Sequence, residues 1–152
     1  MVHATILKFG YPQSLVRSYD HWMVQLRPKQ ATLGALVVIA KEEATAFSAL
    51  SQAAAAEFHQ VVCDVEQVLG QVFDYQKINW LMLMMVDPHV HFHVLPRYDG
   101  PRSWGGHGFT DPGWPGLPDL SHDQPGDGAI HHSLMAALCA AFSGHQASDA
   151  PS

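Results

Sequence analysis

A chain of 152 residues suffices for one domain burying roughly 70% of its unfolded surface, and 47% hydrophobic against 14% charged residues describe a packed core rather than a disordered segment. A net charge of −6 with eight Lys and Arg leaves no basic surface for counterion release, which excludes a nucleic-acid polymer as partner; a small phosphorylated ligand needs only a few placed donors and stays open. Cys63 and Cys139 lack CxxC spacing and read as free thiols in a reducing cytoplasm, and neither a signal-peptide pattern nor an eighteen-residue apolar run predicts secretion or a membrane span.

In chain order, residues 14–26 (SLVRSYDHWMVQL) hold two apolar runs, 15–19 and 22–26, broken by Asp20 and His21, and predict a hairpin. RPKQATLG is a loop, and the β-branched run at 35–40 (ALVVIA) predicts a buried central strand. Phe47, Leu50, Ala54, Phe58, Val61, Val65 and Leu69 then recur at intervals of three and four, the face of a helical region that Ser51 caps internally and Gly70 closes. Residues 77–85 (KINWLMLMM) predict a strand, and Asp87-Pro88 the turn into another, which Pro88 enters first. Between 99 and 128, 13 of 30 residues are Gly or Pro, so helices and long strands are excluded there. Trp104, Phe109, Trp114, Leu117 and Leu120 nevertheless space this segment like anchors onto the domain, with packing preferred over a lid role for the tryptophans. Ile130, Leu134, Leu138 and Phe142 predict a last helix, capped near Asp127 and ended by Gly144, before a frayed polar tail.

The chemistry concentrates at 89–95, HVHFHVL. Strand alternation sends His89, His91 and His93 to one side and Val90, Phe92 and Val94 to the core. Three imidazoles in register are costly to bury without partners, so the row signals function. One reading is a metal site built on a His-x-His pair. His89 and His93 stand about 13 Å apart along an extended strand, which overshoots a single ion, and no other histidine falls in a companion ligand spacing. The other reading is nucleophilic: a neutral imidazole attacks phosphorus while its far nitrogen keeps a proton on an acceptor and the flanking rings donate to phosphate oxygens. That chemistry uses all three positions, and the spacing favours it.

HVHFHVL, followed by PRY, resembles the His-φ-His-φ-His-φ-φ signature (φ apolar) of the histidine triad superfamily of nucleotide hydrolases and transferases, and residues 15–98 are similar to its order of elements. The resemblance implies an α+β fold with a five-stranded antiparallel sheet, one main helical region and a C-terminal helix. It also implies a homodimer that splits the bond between a nucleoside α-phosphate and its leaving group without cofactor or metal. Residues 1–98 would be the catalytic core, and 99–152 the irregular segment and last helix packed on the same domain. His91 would be the nucleophile with its tautomer fixed by the His89 carbonyl; His93 would bind phosphate or help protonate the leaving group, and His89 would complete the pocket. Arg27 falls near where members contact the nucleoside, and Arg97 follows the triad; both are candidates to bind the anionic substrate. The chain departs from the pattern twice. Many members carry a further histidine where this chain has Ala35 after Gly34, and a Gly-rich turn with an amide or hydroxyl where it has Val86-Asp87-Pro88. Asp87 accepts but cannot donate when ionised, so it either holds a triad histidine or repels the anion. The alternatives are a non-catalytic nucleotide-binding or regulatory protein on the same fold, and a metal enzyme using two triad histidines.

Overall fold

The structure, a computed structural model, describes residues 2–124 and 127–145. The polar tail at 146–152, expected to fray, lies outside the described residues. A helix absent from the sequence expectation comes first, α1 (Ala4–Lys8), followed by β1 (Leu15–Ser18) and β2 (Trp22–Leu26), which form the expected hairpin. β3 (Leu36–Ala40), β4 (Lys77–Leu81) and β5 (His91–Arg97) complete an antiparallel sheet ordered β1-β2-β3-β5-β4, with α2 (Gln52–Phe73) connecting β3 to β4. The fold is therefore α+β. Among the described residues no helix is long and apolar enough to cross a membrane.

Alternation along the central strands divides the sheet into two faces. Val38, Phe92 and Val94 point to the face covered by α2 and by α3 (Gly128–Gly144), where Val61, Val65, Leu69, Leu134, Leu138 and Phe142 complete the main core. Trp22 is fully buried there, with its Nε1–H donating to the Ala54 carbonyl at 2.8 Å, so the largest apolar side chain leaves no polar atom unpaired. Val37 and Ile39 point the other way, against Ile6 and Phe9 of the N-terminal segment. His93 and His91 stand opposite Val37 and Ile39 in the β3–β5 register, and so share this second face.

Caps fall where their chemistry predicts. Ser51 Oγ accepts from the Ala54 N–H at 3.1 Å at the start of α2, and Asp127 accepts from the Ile130 N–H at 3.1 Å at the start of α3. Before α2, residues Phe47–Ala49 form only a 3-10 turn. Gly70 does not close α2: the helix runs on to Phe73, and Asp74 takes the left-handed conformation (φ 50) that ends it, a conformation Asp tolerates. The extra turn buries Phe73 over Gly34, whose φ of +85 and lack of a Cβ allow the contact.

β4 also differs from expectation, ending at Leu81 rather than running to residue 85. Met84 lies at φ 54, a left-handed value that breaks the extended conformation, and Met85 and Val86 project into solvent. The histidine strand begins at His91, so Pro88 and His89 precede it instead of opening it. The segment from residue 99 onward forms a short hairpin of β6 (Arg102–Trp104) and β7 (His107–Phe109). Phe109 is buried, Trp104 packs on the core with Nε1 donating to Ser133 Oγ, and Leu120 packs against Ala31, Ala35 and Leu95. Leu117 is exposed and anchors nothing.

Candidate active site

Four side chains of β5 share the second face: His91, His93, Leu95 and Arg97. Two segments outside the sheet cover its ends. The N-terminal segment lays Phe9 against the first two, with ring centroids 6.1 Å from His91 and 5.9 Å from His93. The segment beyond residue 99 lays Leu120 over Leu95 and Asp111 over Arg97. Between them lies a cleft of about 400 Å³, with His91 and His93 in its lining. Lys8, Arg27 and Lys29 bring three of the chain's eight Lys and Arg to this one cleft, against the overall acidic balance. Leu83, Met85 and Val86, from the stretch expected to be strand, form its apolar wall beside Asp87.

His91 is buried, and its Nδ1 lies 2.7 Å from the carbonyl of His89. A carbonyl only accepts, so Nδ1 carries the proton and the lone pair of the neutral ring resides on Nε2. Nε2 makes no hydrogen bond among the described residues. The His93 ring stands edge-on to it, centroids 5.2 Å apart. Burial pushes the His93 imidazole down to about 4, helped by the positive charge of Arg27 and by His91, with Asp87 opposing. His93 is therefore neutral at pH 7, and its Nδ1 is buried without a partner among the described residues.

The remaining sequence candidates separate. Arg27 lines the cleft and is fixed there: its two terminal nitrogens donate to the carbonyls of Lys29 at 2.8 Å and Leu120 at 3.1 Å. Its Nε is buried and unpaired among the described residues, and burial lowers the guanidinium from its ordinary value. Asp87 also lines the cleft, but it holds neither triad imidazole: its Oδ1 accepts from Lys8 Nζ at 2.5 Å. His89 contributes its carbonyl while its ring turns away from the cleft, stacked on His3 at 3.8 Å and hydrogen-bonded through Nδ1 to Thr5 Oγ1 at 2.7 Å. Arg97 shares the histidine face but does not reach the cleft. Asp111 takes its Nε and Nη2 at 2.7 and 3.1 Å, Asn79 takes Nη1 at 2.7 Å, and the Arg97 and Asp111 side chains are only 4% and 0% exposed. That arginine ties the distal segment to the sheet. Neither Trp104 nor Trp114 lines the cleft.

Sequence reasoning missed Lys8, Phe9 and Lys29. Phe9 follows Ile6 at a helical interval of three and Lys8 is one residue away, a pattern too short to stand out. Among the described residues no three His, Cys, Asp or Glu side chains form a group able to hold a metal ion.

The fold and the paired imidazoles of β5 define a histidine triad protein. The sequence agrees: a family model for the HIT domain matches residues 11–100, and the chain belongs to that family. No curated protein matches it. Among solved structures it is similar to a histidine triad protein from Bradyrhizobium japonicum, with 17% identity, coverage of 93% of this chain and 97% of that one, and a TM-score of 0.67. A histidine triad protein from Sinorhizobium meliloti is similar at 16% identity, 91% and 93% coverage and a TM-score of 0.69. A zinc-bound histidine triad family protein from Mycobacterium smegmatis is similar at 16% identity, 91% and 90% coverage and a TM-score of 0.64. At such identities the likeness speaks to the fold alone.

Proposed function

We propose that this protein is a nucleotide hydrolase of the histidine triad class, cleaving at a nucleoside α-phosphate through a covalent nucleotidyl-His91 intermediate, with a phosphoramidate or a dinucleoside polyphosphate as substrate. Membership of a family of nucleotide-binding proteins and hydrolases supports the class. The observation that carries the reading is the 2.7 Å hydrogen bond from His91 Nδ1 to the His89 carbonyl, which leaves Nε2 as the nucleophilic nitrogen. Residues 1–98 act as the catalytic core, the distal segment and last helix pack on the same domain, and the protein works as a cytoplasmic homodimer, as the resemblance implies.

In the first step Nε2 bonds to phosphorus as the bond to the leaving group breaks, and the electron pair departs with that group, which takes its proton from solvent. The ring becomes cationic, and the His89 carbonyl stabilises the charge through Nδ1–H. Water then attacks the same phosphorus, the N–P electron pair returns to Nε2, and nucleoside monophosphate leaves as the water's proton passes to solvent. His93, neutral at pH 7, offers an N–H to a phosphate oxygen. Arg27 contributes fixed positive charge beside it.

Quenching a reaction with nucleoside phosphoramidates, dinucleoside polyphosphates and sugar nucleotides tests this. The expected result is nucleoside monophosphate attached to His91, stable in base and lost in acid. His91→Ala should abolish turnover and leave nucleotide binding largely intact, because the nucleophile acts mainly in the transition state. Binding without adduct or turnover across the panel would replace the hydrolase with the non-catalytic binder.

A further inference from the structure

Three cations face the cleft, and they are held differently. The Arg27 guanidinium is held in place by one N–H of each terminal nitrogen, donated to a backbone carbonyl. Lys29 is exposed. Lys8, in the last turn of α1, is aimed: its Nζ meets Asp87 Oδ1 at 2.5 Å, and both residues line the cleft that His91 and His93 also line. The two partners are unequally covered, the lysine side chain being 52% exposed and the carboxylate 13%. Lysine is therefore the partner free to move, on a flexible four-carbon stem, while the carboxylate stays in the wall of the cleft. An ammonium has three N–H donors, and Asp87 takes one of them.

A mostly covered carboxylate in the wall of an anion site repels the ligand unless a cation accompanies it. Removing Asp87 from influence and supplying donors to the phosphate are both within reach of one lysine. Phe9, next in sequence, is packed against both imidazoles, which ties the Lys8 backbone to the reacting rings.

We propose that Lys8 is a phosphate-binding residue of this cleft, held over it by Asp87, so that the segment preceding the HIT-matched residues 11–100 supplies part of the substrate site. The proposal deepens the hydrolase reading and rests on it for the chemical class of the ligand, a nucleoside monophosphate group. On binding, Lys8 turns donors toward phosphate oxygens and keeps Asp87 neutralised, while Arg27 stays in place.

The test is calorimetric titration of the full chain with adenosine and guanosine 5′-monophosphates, the corresponding nucleosides, and inorganic phosphate. Lys8→Met should weaken the monophosphates about tenfold and leave the nucleosides unchanged, the size of one charge-assisted contact. Lys8→Arg should retain binding within about twofold, and because it keeps the charge it also guards against a folding defect in the Met variant. Asp87→Asn should tighten monophosphate binding severalfold. In the Asp87→Asn background, Lys8→Met should still cost affinity.

Monophosphate affinity within about twofold of wild type in Lys8→Met overturns the proposal. So does an equal loss for nucleosides and monophosphates, or a loss that vanishes once Asp87 is neutralised, since Lys8 would then only mask the carboxylate. A wild-type protein that binds monophosphates or phosphate but forms no His91 adduct overturns the hydrolase reading alone, and the Lys8 comparison still decides. One that binds neither overturns the Lys8 proposal, while the His91 adduct and turnover decide the hydrolase reading.

Discussion

Acidification should destabilise this protein through His93 in a defined window. Its imidazole ordinarily titrates at 6.5 and is pushed down to about 4 in the folded chain, first by burial and then by Arg27 and His91. Between those values the unfolded chain binds a proton that the folded chain refuses, so stability from this group is complete above about pH 6.5, falls as pH drops toward 4, and changes no further once both states are protonated. At 1.36 kcal/mol per pH unit the gap has an upper bound of about 3 kcal/mol, which solvent reaching the ring through the open cleft lowers. The assay is urea unfolding of wild type and His93→Gln at several values from about pH 7.5 to about pH 4, since the other groups titrate in both proteins and cancel in the difference. The stability of wild type relative to the variant should decline by about 1–3 kcal/mol across the series. A difference that stays flat would refute the reasoning and show that His93 reaches water or a partner. The same low value means His93 supplies no ionisation to the activity profile between about pH 5 and 8.

Asp111→Asn should destabilise the chain by about 3–5 kcal/mol in urea unfolding and speed proteolysis between residues 99 and 124, because it leaves the Arg97 guanidinium buried without its counter-ion; a shift below about 1 kcal/mol would mean the pair is wetter than its geometry. Gly34→Ala should lower thermal stability by about 1–3 kcal/mol, because φ there is +85 and a Cβ would lie 2.5 Å from Phe73 Cε2. Trimming the ring, in Gly34→Ala/Phe73→Leu, should remove the steric part of that penalty and leave the backbone part.

The sequence was most legible where local chemistry decides the outcome. The hairpin broken at Asp20 and His21 and the caps at Ser51 and Asp127 all rest on contacts within a few residues. It was least legible where a distant partner decides. Gly70 looks like a helix terminator until Phe73 finds Gly34, whose place in the fold no helical period reveals. MLMM at 82–85 reads as the continuation of a buried strand, but part of it becomes the apolar wall of a cleft. Arg97 was legible as a candidate for the anionic substrate, yet its partner Asp111 lies 14 residues on in a Gly/Pro-rich segment with no regular pattern. His89 shows the limit of alternation itself: the row of three imidazoles assumed one continuous strand, whereas β5 starts at His91 and the first ring turns to His3 and Thr5.

The division of the histidine face has a consequence for selectivity. Residues 91 and 93 belong to the family-matched sheet, but the cleft is bounded by Lys8 and Phe9 on one side, and on the other Arg27 is fixed by the carbonyl of Leu120. Neither residue 8 nor residue 9 nor residue 120 falls within the matched stretch of 11–100. Ala35, where many members carry a further histidine, packs with Leu95, and Leu120 closes over both. Ala35 is fully buried, so an imidazole at position 35 would have to shift this cluster, whose neighbour Leu120 carries the carbonyl that accepts from Arg27. Restoring the ring by Ala35→His is therefore expected to strain this cluster rather than simply to add an imidazole to the cleft. The imidazoles proposed to react with phosphorus lie within the family-matched stretch, whereas Lys8, Phe9 and Leu120 lie outside it, and a likeness in fold at 16–17% identity leaves the leaving group to be sought through the cleft's own lining, Lys8, Phe9 and the 83–87 wall.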